Sequence, residues 1–173
     1  MITIKECKIN QLDLLFEIAI QTYNDTYQYL WTDKGTAYLD RFYKKSDFEK
    51  ELSATAIFYF LIYDEDLAVG FFKLRNNKLK SYPDEKCLEI DKLYLLKEHS
   101  GKGIGKMVME FIVSFCKTNK YFILSLKAME DSLARQFYTK QGFTAIEKYD
   151  LDYPNIKEEY QSILTMVKKI ETV

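Results

Sequence analysis

The stretch from Cys87 to Lys120, CLEIDKLYLLKEHSGKGIGKMVMEFIVSFCKTNK, constrains this chain more than any other. Residues 88–96 form an apolar run of strand-forming side chains. The run leads into Ser100-Gly101-Lys102-Gly103-Ile104-Gly105, in which glycine alternates with larger residues. Ile104, Met107, Val108, Phe111, Ile112, Phe115 and Cys116 then recur at helical spacing and lay one apolar stripe along a helix. Strand, glycine turn and amphipathic helix are the order around which the rest must be arranged.

A helix start exposes N–H groups with no intrahelical acceptor, and the peptide dipoles make that end partly positive. Glycines allow a sharp turn and let an anion approach the backbone with no Cβ in the way. Lys102 and Lys106 add charge. The stretch therefore reads as a phosphate or diphosphate cradle, or else as an ordinary tight connection. Spacing excludes two familiar cradles. A Walker loop needs Gly at 100 and Ser or Thr at 107, which are Ser100 and Met107. The dinucleotide fingerprint needs Gly at 106, which is Lys106.

The pattern that fits is [Q/R]-x-x-G-x-[G/A], met at Gly103 and Gly105, and on it the chain resembles the GNAT superfamily of N-acetyltransferases. A second stretch, from Asp131 to Phe143 (DSLARQFYTKQGF), is similar to that family's N-x-x-A-x-x-F-Y-x-K-x-G-F. The resemblance implies an α/β GNAT (acyl-CoA N-acyltransferase) fold, with a mixed sheet of about seven strands flanked by about four helices. It implies acetyl-CoA as cofactor, its diphosphate held by the loop Ser100, Gly101, Lys102, Gly103, Ile104, Gly105 and Lys106. Leu93, Tyr94 and Leu95 would run beside the pantetheine arm, Asp131 would approach the same arm, and Lys140 would reach the nucleotide phosphates. An N–H near Leu95 would polarise the thioester oxygen, and Tyr138 would be the general acid. Two positions depart from the family: Ser100 replaces Gln or Arg, and Asp131 replaces Asn.

An ammonium has a pKa near ~10.4, so the attacking amine must lose a proton, and a carboxylate is the group to take it. Glu89 and Asp91 stand two apart on the predicted strand and so share a face. In the histone-acetylating branch the base lies fourteen positions before the first motif glycine, which here is Glu89 (103 − 89 = 14). In the polyamine branch of higher eukaryotes it lies two residues nearer the loop, which is Asp91.

Composition narrows the alternatives. In 173 residues a formal net charge of −1 argues against a nucleic-acid partner. One histidine and three well-separated cysteines leave no expected metal site and no disulfide framework. Residues 1–6 alternate like a strand rather than a signal peptide, and no apolar run matches a membrane span. The expectation is one N-acetyltransferase domain over 1–173, in the cytoplasm, with a small-molecule amine as partner and a homodimer left open.

Elsewhere, Asn10-Gln11-Leu12-Asp13 is expected to cap a first helix, and residues 36–43 to form a short one. Ser46-Asp47-Phe48-Glu49 reads as a capping box. Residues 56–63 and 67–75 read as a hairpin across Asp64-Glu65-Asp66, residues 121–127, 144–149 and 162–170 as later strands, and Asp131 as a helix cap. His99 is expected to be exposed.

The acceptor groove implied by the family lies between residues 23–33 and 150–160. These hold Asp25, Asp33, Asp150, Asp152, Glu158 and Glu159 among aromatic residues, a composition suited to a polycation. The first half also resembles the bacterial spermidine/spermine N-acetyltransferase branch, in its T-Y-x-x-T-Y segment, S-D-F-E-K-E-L helix and E-I-D-K-L-Y-L strand. The alternatives are a protein or ribosomal-protein N-terminal acetyltransferase, and a non-catalytic acyl-CoA-binding regulatory module.

Overall fold

The computed structural model describes residues 1–171. In chain order the elements are β1 (Ile2–Glu6), α1 (Leu12–Tyr27), α2 (Thr36–Phe42), α3 (Lys45–Leu52), β2 (Ile57–Asp64) and β3 (Leu67–Asn77). Then come β4 (Cys87–Leu95), α4 (Ile104–Thr118), β5 (Ile123–Met129), α5 (Leu133–Lys140), β6 (Thr144–Asp150) and β7 (Ser162–Lys169). All seven strands join one sheet in the order β1-β2-β3-β4-β5-β7-β6. The β4–β5 pair is parallel and the other pairs are antiparallel. This is the GNAT fold that the motifs imply, with α2 and α3 as two short helices.

Helices cover both faces because the strands alternate. Phe60 and Ile62 of β2, Phe72 and Leu74 of β3, and Leu88 and Ile90 of β4 bury against Ile104, Val108, Ile112 and Cys116 of α4. Tyr59, Leu61 and Tyr63 of β2 and Phe71 of β3 bury on the other face, against Leu15, Ile18 and Ala19 of α1 and Phe48 of α3. Ile112 is fully buried, so truncating it to alanine should cost roughly 2–5 kcal/mol. The stripe on α4 differs from expectation at one place. Met107 is 46% exposed and Met109 is buried in its stead, because the buried line advances through 104, 108, 112 and 116.

A bulge in β4 controls which side chain faces which helix layer. Lys73 pairs with Lys92 but Leu74 pairs with Ile90, so Asp91 is an extra residue opposite no partner. Before it, Leu88 and Ile90 face α4; after it, Leu93 and Leu95 do, while Tyr94 packs against the α1 layer. One inserted residue inverts the alternation. Asp91 and Lys92 both emerge on the α1 side.

Several predicted caps move. The 3₁₀ turn Ile9–Gln11 leads into α1, and Gln11 has no side-chain cap bond. Helix α3 begins at Lys45, ahead of Ser46, so Ser46-x-x-Glu49 lies inside the helix rather than capping it. For α5 the cap is Ser132, not Asp131: Arg135 N–H donates to Ser132 Oγ at 3.0 Å. The expected strand at 121–127 starts at Ile123. No helix among the described residues is long and apolar enough to cross a membrane.

Candidate active site

Where β4 meets β5 the sheet comes apart. Pairing runs from Cys87–Ile123 to Ile90–Leu126 and then stops, although β4 continues to Leu95 and β5 to Met129. Leu93, Tyr94 and Leu95 still pair on their other edge, with Phe72, Phe71 and Gly70. Their β5-facing edge is left without a strand. This wedge lies directly before the glycine loop.

The loop itself is a bare donor array. Ser100 N–H donates to Lys97 O at 3.2 Å, and Lys106 N–H to Gly103 O at 3.1 Å. Among the described residues the N–H groups of 101 to 105 have no acceptor. Gly103 is the N-cap of α4 at φ 82° and Gly101 has φ 75°, so both sit in the left-handed region. A Cβ built on either would meet nothing within 4 Å. The space over those amides is open to a ligand. Gly105 differs: a Cβ there would stand 3.2 Å from Phe137 Cζ, so this glycine lets α4 approach α5. Lys102, Lys106 and Lys140 are exposed at the rim. Ser100 turns its hydroxyl back to Leu96 O at 3.4 Å. Asp131 is exposed beside Lys148, which bonds Glu130 at 2.7 Å, so a cation stands against the charge that Asp131 adds.

Tyr138 lies on α5, buried, with its ring edge-on to Phe137 and Phe143. Burial, and then the phenol of Tyr27, holds the Tyr138 hydroxyl well above the usual tyrosine range. Tyr27 belongs to α1, across the sheet, where its ring meets Tyr94 at 5.3 Å. Burial pushes it up to about 12. Tyr27 and Tyr138 thus belong to the cores on opposite faces of the sheet, on either side of the parting of β4 and β5.

The two strand carboxylates do lie together, on the α1 side, and both are clamped. Arg75 Nε donates to Glu89 Oε2 at 2.8 Å, and the same guanidinium stands 3.4 Å from Asp91 Oδ1. Asp91 Oδ2 also meets Lys73 at 3.0 Å and Lys92 at 3.7 Å. Lys73, nearly inaccessible, bonds Glu51 of α3 at 2.9 Å, and Glu51 accepts a short bond from the Tyr59 hydroxyl. Burial would raise the Asp91 carboxyl, but Lys92, Lys73 and Arg75 outweigh it and hold the group below the usual carboxylate range. Asp91 is therefore a weak proton acceptor. Glu89 has one oxygen on Arg75 and lines a groove of about 550 Å³ over the sheet.

Arg75, Lys73 and Glu51 are absent from the sequence reading. Lys73 and Arg75 alternate on an otherwise apolar strand, which demands carboxylates on a neighbouring strand; that was the available signal. His99 is half-buried rather than exposed, its Nδ1 3.9 Å from the Glu98 carboxylate and without a hydrogen-bond partner among the described residues. Cys116 is fully buried, its thiol pushed up to about 12 by desolvation.

The loops expected to hold the acceptor are tied to each other. Thr32 N–H donates to Asn155 O at 2.9 Å, Lys157 N–H to Leu30 O at 2.9 Å, and Trp31 bridges Ile156. Their acids are partly engaged. Asp33 accepts from the N–H groups of Gly35 and Ala37 and from Asn155. Asp150 accepts from Ser162 at 2.7 Å, and Asp25 from Lys97 N–H at 3.4 Å. Tyr23, Leu30 and Trp31 are buried, so much of the aromatic segment is core.

An acyltransferase with a wedge-split sheet and a glycine anion cradle is the class that this geometry defines. The model of the Acetyltransferase (GNAT) family matches residues 17–143, and the chain belongs to that family. It is 28% identical over 158 residues to the uncharacterized N-acetyltransferase in pepI 3'region of Lactobacillus delbrueckii subsp. lactis, covering 86% of this chain and 89% of that one. Among solved structures it resembles the PaiA N-acetyltransferase of Thermoplasma acidophilum in complex with coenzyme A. There the TM-score is 0.76 at 23% identity, covering 98% of this chain and 99% of that one. It also resembles the ribosomal-protein-S18-alanine N-acetyltransferase of Escherichia coli, with TM-score 0.68 at 13% identity and 100% and 96% covered. The protein is an N-acetyltransferase. Its family uses acetyl-CoA, and the free amides of 101 to 105, the room above Gly101 and Gly103 and the open edge of β4 fit that cofactor.

Proposed function

We propose that the chain moves an acetyl group to a small primary amine that arrives on the α1 side of the wedge, with the cofactor on the α4 side. The observation carrying this reading is the parting of β4 and β5, which joins an anion cradle on one face to clamped carboxylates on the other. Acetyl-CoA, when bound, supplies the acetyl group as a thioester. Residues 101 to 105 donate to its diphosphate and Leu95 N–H hydrogen-bonds the thioester oxygen, a preorganised donor where negative charge develops. Leu93 and Tyr94 flank the arm, with Asp131 and Lys140 further along it.

Glu89 takes the proton of the acceptor ammonium; the nitrogen lone pair then forms the new C–N bond while the C–S bond breaks, and the second proton that the nitrogen sheds on becoming an amide restores the Tyr138 phenol. Tyr138 gives its proton to the departing sulfur; its raised affinity keeps the phenol protonated at neutral pH. Asp91 stays ionised and, with Arg75, fixes the orientation of Glu89. The buried free cysteines Cys7, Cys87 and Cys116 suit a reducing compartment, which supports the cytoplasm.

For a polyamine acceptor the support is thinner, since Asp25, Asp33 and Asp150 already accept hydrogen bonds from other protein groups and only Asp152, Glu158 and Glu159 remain as exposed, unengaged acids. Coenzyme A release over a panel of polyamines, amino acids and peptides tests the reading. Stabilisation by acetyl-CoA with no thiol release from any amine would instead make the chain a binding module.

A further inference from the structure

The groove that Glu89 lines lies on the α1 side of the sheet, over the paired halves of β4 and β5, and reaches Leu126, where the pairing ends. It thus abuts the wedge from the acceptor side. Its walls carry Arg75, Lys78, Lys80 and Lys127 against only Glu89 and Glu147, an excess of positive charge on a chain whose net charge is −1. Glu89 is already matched by Arg75, and Glu147 accepts from the Thr165 hydroxyl at 3.4 Å. Among the described residues Lys78, Lys80 and Lys127 form no ion pair. Lys127 stands 5.9 Å over the ring of Tyr149. Arg75 spends Nε on Glu89 and one terminal nitrogen on Asp91, and its side chain is 41% exposed, so the rest of its donor fork is open to the groove.

We propose that this groove selects the acceptor, and that the acceptor carries an anionic group, a carboxylate or a phosphate, a few atoms from its amine. The inference rests on the acetyltransferase reading above. An ammonium at Glu89 with an anion among Arg75, Lys78, Lys80 and Lys127 meets opposite charge at both ends. A polycation would lay its second ammonium against those lysines, where like charges repel. The sequence directs attention to the acids of the two loops; the cations of β3, of the segment after it and of β5 surround the groove that abuts the wedge.

The test is coenzyme A release with propylamine, spermidine, β-alanine and phosphoethanolamine at low and high salt. β-Alanine differs from propylamine by a carboxylate in place of a methyl group, and phosphoethanolamine separates phosphate from carboxylate. At least one anionic amine should exceed propylamine by tenfold or more in kcat/KM, mostly through KM, and the advantage should shrink as salt screens the groove. In the double variant Lys78→Glu/Lys80→Glu that ratio should fall towards one. Propylamine or spermidine equalling both anionic amines would overturn the proposal and leave the acetyltransferase standing. If no amine turns over, calorimetry with N-acetyl-β-alanine and N-acetyl-phosphoethanolamine decides. Binding weakened by Lys78→Glu/Lys80→Glu would uphold the anionic groove while removing the catalytic reading, and no binding would remove both.

Discussion

Gly103→Val separates the folding role of the glycine loop from its binding role. Gly103 caps α4 at φ 82°, where an L-residue costs about 1–2 kcal/mol. No protein atom lies within 4 Å of the added Cβ, so no clash adds to that strain. For a chain of this size the loss should lower Tm by roughly 2–8 °C, and the protein should remain folded. Binding should suffer more. The new methyl groups project into the space above the free amides of 101 to 105, and acetyl-CoA affinity should drop at least about tenfold, or ~1.4 kcal/mol. Gly105→Ala is the contrast: its Cβ presses on Phe137 rather than on the cradle, so stability should fall with a smaller loss of affinity. Titration calorimetry with acetyl-CoA, beside thermal denaturation, reads both quantities. A folded Gly103→Val protein that binds acetyl-CoA as well as the parent would refute the cradle.

Tyr138→Phe keeps the ring between Phe137 and Phe143, so Tm should hold within about 2 °C while kcat drops by ~10²-fold; a kcat within about twofold of the parent makes Tyr138 a packing residue. Glu89→Gln should flatten the acid limb of the pH–kcat/KM profile more than Asp91→Asn does, and identical limbs in both variants and the parent would take the base role from the strand. Asp91→Asn should instead be the more destabilising, by about 3 kcal/mol in urea denaturation, because it leaves buried Lys73 short of a partner. The Asp91 carboxyl is depressed on folding, so its stabilisation is present above an unfolded pKa near ~3.9 and is lost as pH falls through the folded value. The acid slope of stability should therefore shrink in Asp91→Asn. Tyr27 has the opposite sign: raised to about 12, it contributes fully below pH ~10 and loses that contribution between there and its folded value, so Tyr27→Phe should soften alkaline unfolding.

The segment around Gly103 was legible because its signals are local: strand propensity, alternating glycines and a helical stripe all fall within thirty-four residues. Arg75 was not. Its pairing with Glu89 depends on the register of β3 on β4, and the long connection through Pro83, with the bulge at Asp91, hides that register from the sequence. Asp33 shows a different loss. Its charge suggested a ligand, yet it sits two residues before Gly35 and four before Ala37, where a short polar side chain caps its own loop. Ser132 was overlooked for the reverse reason, since the family pattern directed attention to Asp131 next to it. The groove beside Arg75 draws its walls from five strands and from the segment after β3, so no window of sequence contains it.

The extra residue at Asp91 makes β4 a strand whose length matters as much as its composition. Removing either Asp91 or Lys92 would restore plain alternation, leaving Leu93 towards α4 and Tyr94 towards α1 but taking one charged side chain from the α1 side. Substitutions in this short stretch change one side chain at a time, whereas a single deletion removes a charge and the bend of the bulge together. Homologues that keep this ion cluster should therefore keep both residues between Ile90 and Leu93, and a one-residue gap at that place should accompany a straighter β4 and a smaller cluster, with the donor and acceptor faces unexchanged.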